Sequence, residues 1–489
     1  MISECIFSYL ITEGEISVPE LPVKKEFGKY TVLTDENTPF FSASSGSRAC
    51  AIFGLAVDVI AGNSDDIAEK IMESCENIQA VVDYEKQLGG KYILLFKNEE
   101  QYYVQGDATC SIPVFYVADD GFICSSNYKY IFDKRKYCID EEYLKIREGG
   151  DVSQAMPYDI TPCRHIKQLI PNHYVDVSAR TAVRFVNSAA IQEEISVDEA
   201  TATVLPMIEN LLNYYRRNYK IYCPITSGRD SRVVLSLLMK SEGEFSCYTI
   251  RHPEHSDRTQ DIVVPVEICD KLKIQHKLVK DVDVSDELRG SVDKFLGKDN
   301  YSFRTLRIAK TVNEYFGDGA IINGDIIGQV GKCSLHRDIP SVFATPSYFL
   351  CKLHNYSSGA RRQLKLWLKE IKSSGEKVNT FDLFSIENRM GRWAGQENLL
   401  YNTVGQAYLN IFNSRSIIYV WTAVSRKKRK HSLLHSGLIK ATYSALLDIQ
   451  FEKEESIVFR LSKAMGVTYL LSSYAKFYIE KMKFKKERK

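Results

Sequence analysis

The chain has 489 residues, of which 44% are hydrophobic and 26% are charged, so it can bury the cores of two or three domains at roughly 150 residues each. These values exclude a small binding module and an intrinsically disordered chain. Lys and Arg total 64 against 62 for Asp and Glu, and the net charge is +2. This balance argues against a whole-molecule field that would attract nucleic acid or an anionic membrane.

The twelve cysteines include no CxxC pair, which argues against a zinc knuckle and a thioredoxin-type redox site. The first residues, MISECIFSYLITEGE, carry early acidic residues and lack the basic segment of a secretory signal. No apolar run approaches the roughly 18 residues needed to span a bilayer. We therefore expect a cytoplasmic protein with reduced thiols and without a membrane segment.

Residues 1–160 are rich in predicted strands. Apolar residues 91–96 and 102–105 flank a polar turn at 97–101, which predicts a β-hairpin. Earlier in the chain, apolar residues recur at helical spacing from Ile67 to Glu85. Antiparallel strands together with a helix predict an α+β domain.

Residues 161–197 predict a connector with two short extended pieces, bracketed by Pro162 and Pro171. From residue 198 onward, predicted strands alternate with helices of about 10 to 15 residues, which favours a parallel α/β sheet in a second domain, residues 198–489. Pro265 predicts that one of these helices begins near Ile262 or is kinked.

The segment IYCPITSGRDSRVVLSLLMK, residues 221–240, places an apolar strand directly before a short polar loop and a helix. The loop consists of Thr226, Ser227, Gly228, Arg229, Asp230 and Ser231. Free amides at a helix N-terminus bind anions, and a carboxylate beside phosphates usually holds magnesium. The loop therefore predicts a phosphate site with Asp230 as a metal ligand. The alternative is a plain junction in which Ser227 or Asp230 only caps the helix.

This loop resembles the SGGxDS pyrophosphate loop of the asparagine synthetase family. Thr226 stands at the position of the first Ser and Ser227 at that of the first Gly, while Gly228, Asp230 and Ser231 match directly. Members of that family are ATP pyrophosphatases that adenylate a carboxylate and then let an amine attack it. The resemblance therefore implies that ATP binds at residues 226–231.

Two segments that follow resemble the family in the same order. Strand 247–250 falls where the family contacts adenine through main-chain atoms, which implies roles for Thr249 and Ile250. Asp261 falls on the acidic residue that leads the next helix, although a solvent-facing helix residue is an equal alternative.

The segment AIINGDIIGQVGK, residues 320–332, resembles the strand and SGxGxDE loop of the family. The resemblance places Gly324 at the nucleotide and gives Asp325 the role of orienting or deprotonating the amine. Gly328 and Gln329 stand where the family has an acidic pair, the first member of which holds magnesium. Asp230 is then the one evident metal ligand of the sequence.

The segment RKKRKHSLL, residues 426–434, resembles the segment that carries the essential lysine of the family. The resemblance implies that Lys430 stabilises the charge on the α-phosphate and on the tetrahedral intermediate. Five consecutive basic residues are also typical of a solvated face or an anion-attracting patch. Nucleic-acid binding through this run is a further alternative, which the near-neutral total charge disfavours.

Residues 88–117 resemble the class II glutamine amidotransferase domain of the same family. Glutaminase chemistry of that kind needs a nucleophile whose own free α-amine is the base. Position 2 is Ile2, and the α-nitrogen of Cys5 is a peptide amide. We therefore expect Cys5 to pack as a small hydrophobic residue and residues 1–160 to be an inactive glutaminase-like domain.

The resemblance implies an Ntn-hydrolase-like antiparallel-sheet domain followed by a parallel-sheet PP-loop ATP pyrophosphatase domain with a helical C-terminal part. The function it implies is an AMP-forming amide ligase that uses ATP and Mg²⁺ and lacks its own glutaminase activity. Its substrates would be a small-molecule or peptide carboxylate and an amine, and a homodimer or pathway partner proteins are compatible with it. The alternative is a degenerate pseudo-synthetase that binds a nucleotide or a partner protein without turnover.

Overall fold

A computed structural model describes residues 5–14, 16–117, 121–149, 156–191, 193–298, 300–333 and 339–449, and the single positions 475, 478, 479 and 482. Within these ranges, every helix is too short or too polar to cross a membrane. Two antiparallel sheets lie in the first part of the chain and one parallel sheet lies in the second.

The first antiparallel sheet has the order β10-β8-β9-β1-β3-β2. Its strands are β1 (Tyr9–Glu13), β2 (Val23–Phe27), β3 (Tyr30–Thr34), β8 (Phe115–Val117), β9 (Ile123–Ser125) and β10 (Ile166–Gln168).

The second antiparallel sheet has the order β12-β11-β7-β6-β5-β4. Its strands are β4 (Phe40–Ser45), β5 (Arg48–Asp58), β6 (Leu88–Asn98), β7 (Gln101–Gly106), β11 (His173–Asp176) and β12 (Thr181–Arg184). The predicted hairpin is the pair β6 and β7, and its turn is tighter than expected because Asn98 already pairs with Gln101. The predicted connector carries three strands, not two, and they extend both sheets.

The parallel sheet has the order β15-β14-β13-β16-β17. Its strands are β13 (Lys220–Pro224), β14 (Ser246–Arg251), β15 (His276–Lys280), β16 (Gly319–Asn323) and β17 (Ala407–Asn410). The chain proceeds outward from β13 through β14 to β15 and then returns to β16 on the other side of β13. The strand order therefore reverses between β13 and β16, where ligands of open α/β sheets bind at the carboxyl ends.

Helices cover the sheets and form most of the C-terminal part. They are α1 (Ile67–Ser74), α2 (Ile78–Glu85), α3 (Tyr128–Arg135), α4 (Glu141–Glu148), α5 (Val197–Asn218), α6 (Arg229–Lys240), α7 (Gln260–Leu272), α8 (Asp286–Leu296), α9 (Phe303–Phe316), α10 (Pro346–Leu353), α11 (Ser358–Ser374), α12 (Thr380–Leu383), α13 (Gly395–Thr403), α14 (Arg415–Ala423), α15 (Arg426–Lys430) and α16 (Leu433–Tyr443). Two segments, Ile327–Gly331 and Phe384–Ala394, are π-helical.

Two helices have other boundaries than the sequence predicts. The single helix expected from Ile67 to Glu85 is broken into α1 and α2, because the side chain of Asn77 accepts a hydrogen bond from the amide of Ala80 and starts a new helix. Helix α7 begins at Gln260, before the predicted start, and includes Pro265 in its interior.

The architecture predicted from the sequence is confirmed: a part with antiparallel sheets precedes a parallel sheet with a helical C-terminal part. One apolar cluster joins both parts, since it contains Ile93 of β6 together with Leu211 of α5 and Ile417 of α14. Lys91, also on β6, donates to Asn398 at 2.9 Å and to Asn402 at 2.7 Å on α13. The first part of the chain therefore packs directly behind the carboxyl edge of the parallel sheet.

Candidate functional site

The loop between β13 and α6 folds back on itself at the carboxyl end of a central strand. The amide of Thr226 donates to Ser231 Oγ at 3.2 Å, and the amide of Gly228 donates to Thr226 Oγ1 at 3.2 Å. Gly228 is the N-cap of α6, and no side chain caps the helix there. Because the first amides of a helix have no intrahelical acceptor, this end of α6 is suited to bind an anion.

Ser227 differs from its neighbours in this loop because it is buried. Its amide and its hydroxyl both donate to Asp261 Oδ1, at 2.9 and 2.6 Å. Ser227 was predicted to contact the nucleotide, but these donors are used to anchor the loop to α7. Asp261, for which a solvent-facing position was the equal alternative, is the acceptor of that anchor.

The loop after β16 touches the first turn of α6. A Cβ atom added to Gly324 would lie 3.1 Å from the carbonyl oxygen of Asp230. The structure therefore brings together two of the predicted site residues from loops that are about 90 positions apart in the sequence. Both loops follow neighbouring strands, since β13 pairs with β16.

Asp325 lies behind this contact, and its side chain is directed into the protein. Tyr408 of β17 donates to Asp325 Oδ2 at 3.0 Å, and the Asp325 amide donates to Asn323 Oδ1 at 3.1 Å. Burial raises the pKa of Asp325, and the nearby charge of Asp230 raises it further. Burial and the charge of Asp325 also raise the pKa of Glu397 on α13. Two carboxyl groups with raised pKa values thus lie close together behind the loop.

A cavity of about 20 Å³ adjoins Asp325 and contains atoms of both parts of the chain in its walls. Lys91 and Thr109 contribute from the antiparallel part, and Asn398 and Asn410 from the other side. This volume holds one water-sized molecule, and the polar walls offer the hydrogen-bond partners that such a molecule needs.

The predicted adenine contacts lie at the end of β14. Thr249 Oγ1 donates to the carbonyl of Ile225 at 2.9 Å and lies 3.0 Å from His276 Nε2. Its hydroxyl is therefore used within the sheet. Ile250 is half-buried, and its backbone pairs with Val279 of β15. Adenine binding by the main chain of Thr249 and Ile250 stays a prediction.

The basic run on α15 divides into residues with different environments. Arg429 is buried and forms a bidentate ion pair with Asp382, at 2.9 and 2.7 Å. Arg429 also donates to the carbonyl of Val330 at 2.9 Å, which ties α15 to the π-helical segment after Asp325. Lys428 forms an exposed ion pair with Glu194. Lys430, the predicted catalytic lysine, is half-buried at the end of this short helix, and its role stays a prediction.

Binding of magnesium by Asp230 stays a prediction. Asp230 Oδ1 lies 2.8 Å from Nε2 of the buried His435, which donates to it. A Cβ atom on Gly328, where the resemblance expects an acidic residue, would lie 2.7 Å from Asp230 Oδ2. Among the described residues, no group of three or more His, Cys, Asp or Glu side chains could hold a metal. Asp338, an acidic residue further along the sequence that could replace the missing ligand, lies outside the described residues.

The environment of Asp230 is cationic. Burial acts to raise the pKa of Asp230, but the hydrogen bond from His435 and the charges of His435, Lys332 and Arg229 outweigh it and lower the pKa. Asp230 is therefore an anion at neutral pH that already has positive neighbours.

In the antiparallel part, Cys5 is buried, as expected for a residue that packs as a hydrophobic side chain. Its thiol donates to the carbonyl of Glu20, and burial raises its pKa to about 11. A thiol with such a raised pKa is a poor nucleophile at neutral pH. Ile2 lies outside the described residues.

Sequence reasoning missed His435, Glu397 and Lys91. His435 and Asp230 are 205 positions apart, and Lys91 and Asn398 are 307 apart, so no local pattern connects them. The one available signal was the polar face of the helical segment ENRMGRWAGQEN, which contains Glu397.

No protein-family model and no curated protein matches the sequence. Among solved structures, the chain is similar to an NMN synthetase from Francisella tularensis, at 13% identity and a TM-score of 0.22, over 54% of this chain and 100% of that one. A glutamine PRPP amidotransferase from B. subtilis, complexed with ADP and GMP, matches at 11% identity and a TM-score of 0.23, over 65% and 76%. A U34-tRNA thiolase from Methanococcus maripaludis matches at 10% identity and a TM-score of 0.23, over 60% of this chain and 83% of that one. TM-scores this low carry no argument about the function of this chain.

Proposed function

We propose that this chain is an ATP-dependent, AMP-forming amide ligase similar to the asparagine synthetases. The observation that carries the proposal is the meeting of two loops at the carboxyl edge of the parallel sheet. The loop after β13 contains Asp230, the loop after β16 contains Gly324, and these two residues are in contact. This is the place in an open α/β sheet where a nucleotide binds.

In this proposal, the polyphosphate lies on residues 226–231 and on the first turn of α6. The hydroxyls of Thr226 and Ser231 and the amides of the first turn of α6, which follows Gly228, contact the phosphates. Ser227 keeps the loop in place through Asp261. The main chain of Thr249 and Ile250 contacts adenine. Asp230 would hold Mg²⁺ together with the phosphates of ATP.

The reaction has two steps. An oxygen of the substrate carboxylate attacks the α-phosphorus and pyrophosphate leaves; the nitrogen of an amine then attacks the acyl carbon and AMP leaves. In this proposal Asp325 orients the amine and, when ionised, takes its proton. Lys430 stabilises the negative charge that develops on the phosphate and on the tetrahedral carbon.

The substrates are a small-molecule or peptide carboxylate together with an amine or ammonia. The antiparallel part acts as an inactive glutaminase-like domain, residues 1–160, joined by residues 161–197 to the ATP-binding domain, residues 198–489. We place the protein in the cytoplasm, without a nucleic-acid or membrane partner, as a homodimer or with partner proteins of its pathway.

A second candidate function is a pseudo-synthetase that binds nucleotide without turnover. The observation that favours it is the glycine at position 328, which removes the second carboxylate from the neighbourhood of Asp230. The ligase and the pseudo-synthetase share the nucleotide site and differ in the release of pyrophosphate.

The test combines calorimetry with ATP and an assay for pyrophosphate in the presence of pooled cell metabolites. Gly228→Glu places a carboxylate at the N-terminus of α6 and is expected to abolish ATP binding by charge repulsion. Gly290→Glu on α8, where a Cβ has open space, makes the same chemical change as a control. Binding with pyrophosphate release supports the ligase, and binding without release supports the pseudo-synthetase. Absence of ATP binding by the wild type would contradict both candidate functions.

A further inference from the structure

Another cavity, distinct from the one at Asp325, lies where the antiparallel part, the connector and the C-terminal part meet. Its volume is about 40 Å³, which is room for about three water-sized groups. Apolar side chains form much of its wall, among them those of Phe115, Leu296 and Leu399. The cavity is therefore too small for a nucleotide, but it can hold a molecule of three or four heavy atoms.

Arg392, in the π-helical segment Phe384–Ala394, brings a guanidinium group to the wall of this cavity. The residue is buried, and each of its three guanidinium nitrogens donates one hydrogen bond. The acceptors are the carbonyl of Met156 at 3.2 Å, the carbonyl of Ile160 and the side-chain oxygen of Gln168. All three acceptors are uncharged, and a guanidinium group has five N–H donors, so two of them are left over.

The positive charge of Arg392 has no ion-pair partner in the part of the chain that the structure describes. Asp159 acts on it electrostatically, but the ion pair of Asp159 is with Lys167, at 3.3 Å. Burial lowers the pKa of Arg392 to about 10, so the guanidinium group stays charged at neutral pH. Because a buried cation without a paired anion is costly, the space beside it favours a negatively charged ligand.

Two further donors belong to the wall of the same cavity. Since Gln168 Oε1 accepts from Arg392, the orientation of the amide is fixed, and Gln168 Nε2 is buried without a partner among the described residues. Tyr128 Oη accepts from Asn300 Nδ2 at 2.7 Å, so this bond does not use the hydroxyl proton of Tyr128. The hydroxyl of Tyr143 donates to Asn300 Oδ1 at 2.6 Å, which fixes that amide as well. The unused groups are all donors, as an anion requires.

We propose that this cavity binds a small monovalent anion of formate or acetate size, held by Arg392, by Gln168 Nε2 and by the hydroxyl of Tyr128. Tyr128 lies on α3 in the first part of the chain, and Arg392 lies in the C-terminal part, so the anion joins the two parts. A ligand that binds only the folded chain raises its stability as the ligand concentration rises. The inference uses neither ATP nor the loop at 226–231 and is independent of the proposed function.

The test is thermal unfolding of the full chain, followed by tryptophan fluorescence in chloride-free buffer. Sodium formate, sodium acetate and sodium gluconate are compared at equal concentrations. Gluconate carries the same charge but is too large for the cavity, so it is the reference. We expect the unfolding midpoint in formate and acetate to exceed that in gluconate by about 2 °C or more and to level off at high concentration.

Gln168→Glu provides the anion from the protein itself, because one oxygen of the new carboxylate stands where Oε1 accepts from Arg392. This variant should lose the stabilisation by formate and acetate. Tyr128→Phe removes one donor, which should raise the formate concentration at half of the effect about 5-fold. Tyr103→Phe is the matched control and should leave it unchanged, since that hydroxyl donates to Gln101 on β7, away from the cavity.

Equal midpoints of the wild type in formate, acetate and gluconate would overturn the inference and leave the cavity to water alone. An undiminished response to formate in folded Gln168→Glu would also overturn it, because formate would then act elsewhere. If Gln168→Glu does not fold, Tyr128→Phe decides in the same way. None of these outcomes changes the proposed function, which calorimetry with ATP tests separately.

Discussion

Charged side chains have different surroundings at the junction between the two parts of the chain and at the loop of residues 226–231. At the junction, Glu387 accepts hydrogen bonds from Arg184, Trp367 and Asn172, at distances of 2.6 to 2.8 Å, and is fully buried. At the loop, the side chain of Asp230 is 39% exposed and bonds to His435. The junction satisfies its charges within the protein, whereas the loop keeps polar groups at the surface.

This difference predicts that the residues of the junction determine stability and that the residues of the loop determine binding. Removing one partner of a buried, fully hydrogen-bonded ion pair lowers the free energy of unfolding by several kcal/mol, because the other charge stays buried. Polar groups at an exposed helix N-terminus contribute little to stability and can be used by a ligand. Substitutions at the junction should therefore change the free energy of unfolding, and substitutions at the loop should change nucleotide affinity.

The largest expected effect is at Arg429, which lies in the basic run yet is buried like the junction residues. Arg429→Met leaves the carboxylate of Asp382 buried without its partner, which should lower the free energy of unfolding by about 3–5 kcal/mol. The measurement is the midpoint of urea unfolding followed by circular dichroism. An unchanged midpoint would show that Asp382 reaches solvent or finds another partner.

Lys91 at the junction is expected to make the free energy of unfolding depend on pH. Burial lowers the pKa of Lys91 to about 7 from its ordinary value of 10.5. Because the unfolded chain then binds more protons above pH 7, stability should rise with pH, by about 2 kcal/mol between pH 7 and pH 9.

Lys91→Met removes this titration, so the rise attributable to Lys91 should be missing in the variant. Urea midpoints of both proteins at pH 7 and pH 9 give the comparison, and the difference between them isolates Lys91 from other groups that titrate in the same interval. Equal rises in the two proteins would contradict the depressed pKa.

A smaller effect is expected at Asp261, where the loop is anchored. Asp261→Asn keeps an acceptor for Ser227 but replaces a charged acceptor by a neutral one, which costs about 1 kcal/mol. That loss corresponds to roughly a five-fold weaker affinity for ATP. Asp257→Asn, at a side chain that is 88% exposed, is the control. An ATP affinity that changes equally in both variants would argue against the anchor.

The smallest effect is expected at Lys428, the neighbour of Arg429. Its ion pair with Glu194 has side chains that are 40% and 56% exposed. Lys428→Met should change the free energy of unfolding by less than about 1 kcal/mol, since exposed pairs are screened by solvent. A loss as large as that of Arg429→Met would remove the distinction between the buried and exposed members of the run.

The sequence predicted those features that depend on short segments. The parallel sheet follows from alternating strands and helices, and the loop at 226–231 from an apolar strand that leads directly into a helix. The contact between the loops after β13 and β16 was not predicted, because it depends on the pairing of two strands that are about 100 residues apart in the chain. The parallel sheet and the loop at 226–231 need no knowledge of distant partners.

Features made by distant partners were not predictable. The bond between His435 and Asp230 depends on the packing of α16 against α6, and a histidine within an apolar helix has no local sign of its partner. The role of Arg429 was not predictable for a related reason. The run RKKRK predicts an exposed segment, but Arg429 is buried and donates to Asp382. Burial is a property of the packed chain.

The position of Lys91 has a consequence for protein synthesis. Its acceptors, Asn398 and Asn402, are 307 and 311 residues later in the chain. At the roughly 5–20 residues per second of translation, β6 leaves the ribosome some 15–60 s before these partners exist. During that interval the ammonium group of Lys91 must stay hydrated. The face of the antiparallel sheet that later packs against the C-terminal part stays exposed to solvent. A central strand of the antiparallel part is thus completed by residues that are made more than 300 positions later.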